Sequence, residues 1–474
     1  MALLWVFRPG LSKSWTSPVK ELEDVPNRMP YVTATNNSKE VFLKFLPLLS
    51  LYLLYGVLHN RESLRCDESR YLVYAHNILN GFFASQESLM FWNGPGYPLF
   101  LAPFMALKWP LIVPRLVNGL FLYFAMIYLY HILRESGVVR RAYKYTYAVG
   151  ILLLWHGPLL DMLMSESLSL LLVCGALYHF IRAVHTQGSW HSPKLWHAMA
   201  SGFYLGYLVW TKVFFGYAVE VSLLLVASLW IVGKIQNSHS PRPQNTDGKS
   251  WICALGSATL ICSLALAFCI PYLIYTWSMT GKIHYWGNSG GLQLYCLTVP
   301  EKELSGDWLN FDTVRDHPDF FKQEADLFWK MSKLDFVPRD EAFRKAAIEN
   351  IKAHPLKFIW NWRANVSRMI FGFPVSPYPG SDIELTTGNR SFAYAAPFLF
   401  FLFALVPGWL GRKRIPVVIH LGLGFGLISL GGLSLLSAIP RQAFPLLPLL
   451  VIWTLMVIER VVDWDGKGGV ETRG

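Results

Sequence analysis

The sequence predicts an all-α polytopic membrane protein, and three observations carry that prediction. Hydrophobic residues make up 53% of the 474-residue chain and charged residues only 15%, against about 25% charged in soluble proteins. The mean hydropathy is +0.32. Apolar runs close to the ~20 residues of a helical crossing recur along the chain. In a soluble protein the net charge of +11 would suggest a nucleic-acid partner. Here the basic residues gather between apolar runs, where they set orientation and meet membrane lipid, so no nucleic acid is expected.

Residues 1–40 read as a basic, proline-containing cytoplasmic arm without a cleavable signal peptide. About ten transmembrane helices come after it, placed at 41–59, 111–133, 145–160, 166–184, 198–213, 215–233, 251–277, 392–410, 415–437 and 443–461. The basic clusters support this count. Arg134, Arg140, Arg141 and Lys144 form one, and Arg182 with Lys194 another. Lys234, Arg242 and Lys249 form a third, and Arg412, Lys413 and Arg414 a fourth. With ten spans all four fall on the side of the arm, as the positive-inside rule asks. The apolar stretch Gly96–Leu107 is too short to cross and reads as a re-entrant or interfacial hairpin on the outer face. Residues 280–391 form an outer segment too long for a structureless connector.

The outer face then collects the chemistry. Asp67 and Glu68 open a short amphipathic helix in which Tyr71, Tyr74 and Ala75 share a face. Glycines and prolines from Gly94 to Pro103 break the next apolar stretch into short pieces. The second outer loop holds Asp161 and Glu166, Lys212 ends the fifth span, and Arg441 lies in the last outer turn. Carboxylates at the mouth of a membrane segment are costly to place and usually functional. Bland readings stand beside this one. Asp67 could be a helix N-cap, Glu166 could be held by a helix dipole, and Lys212 and Arg441 could snorkel to lipid.

These motifs, Asp-Glu-x-x-Tyr-x-x-Tyr-Ala, Gly-Pro-Gly-Tyr-Pro-Leu-Phe-Leu-Ala-Pro-Phe, Pro-Arg115-Leu-Val-Asn, Met-Ser-Glu166-Ser-Leu, Trp-Thr-Lys212 and Pro-Arg441-Gln-Ala-Phe, resemble the GT-C superfamily of integral membrane glycosyltransferases. The similarity is to the branch with protein O-mannosyltransferases and the lipid A aminoarabinose and galacturonic acid transferases, and runs from about residue 40 to 450. It implies juxtamembrane helices in the first outer loop and inverting transfer of a sugar from a polyprenyl phosphate (undecaprenyl or dolichyl) to an acceptor hydroxyl on a lipid-linked glycan or protein. It makes Asp67 the general base, with Glu68 orienting Arg70 or the acceptor unless it lies on a solvated face. Glu166 becomes the second acidic residue, contacting the acceptor or a metal, with Asp161 as its rival. Lys212, Arg441 and Arg70 become ligands of the donor phosphate. Tyr71, Tyr97 and Arg363 become acceptor or substrate contacts; Arg363 and Arg368 are also candidate headgroup contacts, for which an amphipathic surface helix is the better reading. No cofactor is assigned, and a divalent metal is left open.

The layout that results is a 1–40 arm, a transmembrane catalytic module over 41–279 with its first outer loop at 60–110, the 280–391 extracytoplasmic insert, C-terminal helices over 392–462 and a 463–474 cytoplasmic tail. The expected location is a bacterial inner membrane with a periplasmic site, or the endoplasmic reticulum with a lumenal one. A lipid or glycan transporter, or an inactive scaffold of a glycan-assembly complex, are the competing classes. A transporter would show repeated halves with midplane polar groups, and no repeat is found. The six cysteines show no metal-type spacing, and a Cys66–Cys296 disulfide stays open. His185, His191 and His197 do not suit a tetrahedral zinc site.

Overall fold

The computed structural model describes residues 38–65, 67–85, 89–154, 158–186, 193–238, 246–374, 391–436 and 440–462. Cys66, and with it the disulfide expectation, lies outside them, as do the arm over 1–37 and the tail from 463. The described chain is built of helices. They are α1 Ser38–Leu58, α2 Glu68–Leu79, α3 Gly96–Ala106, α4 Ile112–Glu135, α5 Ala142–Leu154, α6 Pro158–Asp161 and α7 Glu166–His185, then α8 Pro193–Thr211, α9 Phe214–Ser238 and α10 Thr246–Thr280. Five more, α11 Gly290–Thr298, α12 Phe311–Asp316, α13 Lys322–Ser332, α14 Phe336–Ala353 and α15 Pro355–Phe371, occupy the predicted insert. The chain ends with α16 Ser391–Leu410, α17 Val417–Ser434, the short α18 Pro440–Ala443 and α19 Leu447–Arg460.

Among the described residues, seven helices are long and apolar enough to cross a membrane, so the chain is an all-α, multi-pass membrane protein. Helices stand at the other three expected spans too. Helix α5 is 13 residues long, α8 is 19, and α16 contributes the shorter apolar stretch Ala395–Leu410. The Gly96 segment forms the 11-residue α3, well short of a crossing.

The bundle packs α7 against α4 and α8, α8 against α10, and α1 against α4. Its two ends differ in character. At one end Arg182 pairs with Glu135 at 2.9 Å and Arg141 with Glu459 at 3.1 Å. Arg460 there donates to the carbonyls of Arg414 and Ser136. The same helices begin at the other end, where Asp67, Glu166, Lys212 and Arg441 lie.

The insert has its own apolar core of Leu292, Tyr295, Leu309, Phe321, Phe328 and Phe343 with their neighbours. Gly291 is needed there, because a Cβ would fall 1.9 Å from the Asp340 carbonyl oxygen. The insert is tied to the first loop: the Asn288 side chain takes the Phe91 amide at 2.8 Å and gives a hydrogen bond to the Leu89 carbonyl, while Trp92 and Trp308 meet edge to face.

Candidate active site

Helix α2 starts where the sequence places it, with Asp67 at the N-cap position, yet the Asp67 side chain makes no capping hydrogen bond. Both its oxygens are used elsewhere. Oδ1 accepts from Arg70 at 2.8 Å, one turn along the helix, and Oδ2 accepts from Arg441 at 2.7 Å. Burial pushes the Asp67 carboxyl up, but Arg441, Arg70 and Lys212 together outweigh it and hold it below the usual carboxylate value. The group is a carboxylate clamped between guanidiniums, and that arrangement excludes the pure N-cap reading.

Glu166, at the first turn of α7, receives Lys212 on Oε1 at 3.1 Å. It is only 3% exposed, and among the described residues its Oε2 has no hydrogen-bond partner. A polar chain runs from the Asp67–Arg70 pair to Ser165, the residue before Glu166. Arg70 donates to Asn93 at 3.1 Å, the Asn93 amide donates to the Tyr71 hydroxyl at 3.2 Å, and Tyr71 meets the Ser165 hydroxyl at 3.0 Å. Arg70 also stacks over Trp92, 4.7 Å from the ring centre. Tyr97 packs edge to face on Tyr71 at 5.0 Å, with its hydroxyl turned away to Asn118.

The glycines of the first loop explain how Lys212 reaches this cluster. A Cβ on Gly94 would lie 1.9 Å from the Trp210 carbonyl oxygen, and one on Gly96 would lie 2.6 Å from the Thr211 hydroxyl. The Asn-Gly-Pro-Gly turn thus lies directly against the end of α8, and Tyr207 donates to the Gly96 carbonyl at 2.8 Å. Only residues without side chains allow that approach.

The structure therefore brings Asp67, Arg70, Tyr71, Glu166, Lys212 and Arg441 together, with Tyr97 behind Tyr71. Three expected contributors stand apart. Glu68 neither orients Arg70 nor lies on a solvated face. It is 1% exposed, and its Oε1 accepts from Arg115 at 3.0 Å and from the Leu163 amide at 2.7 Å. Its Oε2 takes the Arg65 amide at 2.8 Å, which makes it a bracket between the first two outer loops. Asp161 is held near Arg61 and His59, and burial raises its carboxyl above the usual range. Arg363 lies exposed on α15, stacked over Trp360. Arg368 is buried and spent on the carbonyls of Ser305 and Pro374, out of reach of any headgroup. Asn93, Trp92, Ser165 and Arg115 complete the site and its support without having been assigned roles. Arg115 could have been found, because an arginine one turn into an apolar span needs a carboxylate partner.

A divalent cation does not fit this donor set. Both Asp67 oxygens face arginines, Lys212 occupies one side of Glu166, and among the described residues no three His, Cys, Asp or Glu side chains gather to hold a metal. Three cations surround two carboxylates, which suits an anion.

No protein-family model and no curated protein matches the sequence. Among solved structures, the fold is similar to that of the oligosaccharyltransferase AglB from Archaeoglobus fulgidus in complex with an inhibitory peptide and a dolichol-phosphate. The TM-score is 0.46 and the identity 12%, over 88% of this chain and 50% of that one. The Archaeoglobus fulgidus oligosaccharyltransferase tethered to an acceptor peptide gives TM-score 0.41 and 12% identity, over 88% of this chain and 49% of that one. The apo form gives 0.42 and 13%, over 88% and 50%. The chain thus spans about half the length of the solved chains it matches.

Proposed function

We propose that this protein is a membrane glycosyltransferase that moves a sugar from a polyprenyl-phosphate donor to an acceptor hydroxyl, with inversion, at the Asp67 cluster. The observation that carries this reading is the double clamp on Asp67 by Arg70 and Arg441, beside the Lys212–Glu166 pair. Such a cluster holds an anion and a base within one site.

The donor phosphate competes with Asp67 for the guanidiniums, which bind a phosphate bidentately as readily as a carboxylate. Once Arg441 and Arg70 turn to the phosphate, Asp67 keeps its burial but loses its counterions, and becomes a stronger base. The acceptor oxygen then attacks the anomeric carbon and passes its proton to Asp67. The bond from that carbon to the phosphate oxygen breaks, and the polyprenyl phosphate leaves with the electron pair. Arg70, Arg441 and Lys212 meet the charge that develops on it. Glu166, with one oxygen open, orients the acceptor hydroxyl, and Tyr71 with Asn93 fixes the distance between the acidic residues. Glu68 and Arg115 are positioning residues behind this site. The insert is pinned to the first loop through Asn288, and in this reading the two choose the acceptor.

The test is transfer from a panel of radiolabelled polyprenyl-phosphate sugars by purified protein in nanodiscs. Turnover of one donor, abolished in a folded Asp67→Asn protein, supports the reading. Equal turnover by that variant overturns the assignment of the base.

A further inference from the structure

Helix α15 is amphipathic in the inverse sense. Its polar side chains Lys357, Asn361, Asn365 and Arg368 share one face at helical spacing, and that face points into the protein. Lys357 donates to the Leu304 carbonyl at 2.7 Å, and Asn361 donates to the carbonyls of Leu297 and Val299, each at 3.0 Å. Asn365 donates to Ser434 at 2.9 Å, and Arg368 reaches the Ser305 carbonyl at 2.9 Å. The opposite face carries Leu356, Ile359 and Trp360, exposed to 73%, 54% and 58%, with Arg363 stacked 4.2 Å over Trp360.

A helix bathed in water buries its apolar stripe and exposes its polar one. Here the polar stripe is consumed inside the protein, by backbone carbonyls and, for Arg368, also by the Asp307 carboxylate at 3.5 Å, and the apolar stripe is turned out. The helix packs against α16, α17 and α18, at the end of the bundle where Arg441 lies. Its neighbour α16 in turn exposes Phe400, Phe403 and Val406 further along. Its 17 residues carry no acidic side chain, and of its three basic ones Arg363 lies on the outward face while Lys357 and Arg368 point inward.

We propose that the Leu356–Ile359–Trp360–Arg363 face of α15 is a membrane-docking surface, seated in the anionic headgroup layer at the end of the bundle that holds the Asp67 cluster. Aromatic and aliphatic side chains settle at the boundary of headgroup and acyl chain, while the guanidinium stays at phosphate level. This anchors the insert at a fixed height over the membrane. It is independent of the glycosyltransferase reading.

The experiment places a nitroxide at Ile359→Cys, and in a second protein at Leu356→Cys, in the full chain lacking Cys66 and Cys253. The protein is reconstituted in nanodiscs containing phosphatidylglycerol. Collision rates with oxygen and with a water-soluble nickel chelate are compared with those of a label at Lys345→Cys on α14, exposed on the same insert. The expected result is a several-fold higher ratio of oxygen to nickel collisions at 356 and 359 than at 345. Equal nickel access at all three positions overturns the proposal in favour of a water-facing helix. Labels shielded from both reagents, with a dimer in light scattering, overturn it in favour of a second protein copy.

Discussion

Arg441 and Asp67 lie 374 residues apart in the chain and meet at 2.7 Å, joining the last outer turn to the first loop. Because Arg441 counters the effect of burial on Asp67, it also sets the pH at which the carboxylate is available. A low folded-state value means that the ionised form persists until the pH falls through that value. The acid limb of kcat/KM is therefore expected below the ordinary carboxylate value of 3.8. In Arg441→Ala burial acts with less opposition and the limb moves to higher pH. Loss of one charge-stabilising donor also lowers transfer by about 10²-fold or more. A pH–rate profile of the two proteins checks both effects.

Glu68 and Arg115 form a buried ion pair, with side chains 1% and 2% exposed. Removing one partner strands a charge, which costs about 3–5 kcal/mol. Glu68→Ala and Arg115→Ala are each expected to lower thermal stability strongly. The double variant should lose clearly less than the sum, since the second removal strands nothing further. Thermal unfolding of the three purified variants is the measurement.

The layout of the bundle was legible because a membrane helix announces itself by length and apolarity: seven of the ten expected spans fall on helices long and apolar enough to cross, and helices stand at the other three as well. Asp67, Glu166, Lys212 and Arg441 were singled out because they gather on the outer face, away from the basic clusters on the other side. Their pairing was not legible. Nothing local to Arg441 says that it faces Asp67, and Glu68, adjacent in sequence to Asp67, meets other partners because one residue advances a helix by about 100°. The inverse polarity of α15 also escaped, since the sequence gives a helix two faces without saying which is inside.

Gly94 and Gly290 provide a contrast that involves no titrating group. Gly94→Ala places a Cβ 1.9 Å from the Trp210 carbonyl oxygen, so the end of α8 and Lys212 with it must move. Activity is expected to fall by at least about tenfold, since small misplacements of a catalytic group can cost 10²-fold. Gly290→Ala meets nothing within 4 Å and should match the wild type. Steady-state transfer by the two alanine variants makes the comparison.

Glu324 sits in the insert core, 1% exposed. Burial first, and then the neighbouring Glu301, pushes its carboxyl up to about 9. A carboxyl raised in the folded state stabilises the fold relative to the unfolded chain below the ordinary value of 4.5. That contribution is lost as the pH rises towards 9. The insert should therefore weaken with alkalinity. Glu324→Gln, which keeps the shape and cannot ionise, should unfold at higher temperature than the wild type at pH 8 and converge with it in acid. Thermal unfolding across that pH range shows whether the curves converge.

The most direct measurement of the central claim is equilibrium binding of a polyprenyl phosphate to wild type and Asp67→Asn in nanodiscs, beside their rates of transfer. If the phosphate takes Arg441 and Arg70 from Asp67, removing the competing carboxylate leaves binding as tight or tighter. Transfer meanwhile falls by about 10²-fold or more as the base is lost. Weaker binding by Asp67→Asn, or undiminished transfer, would contradict the account.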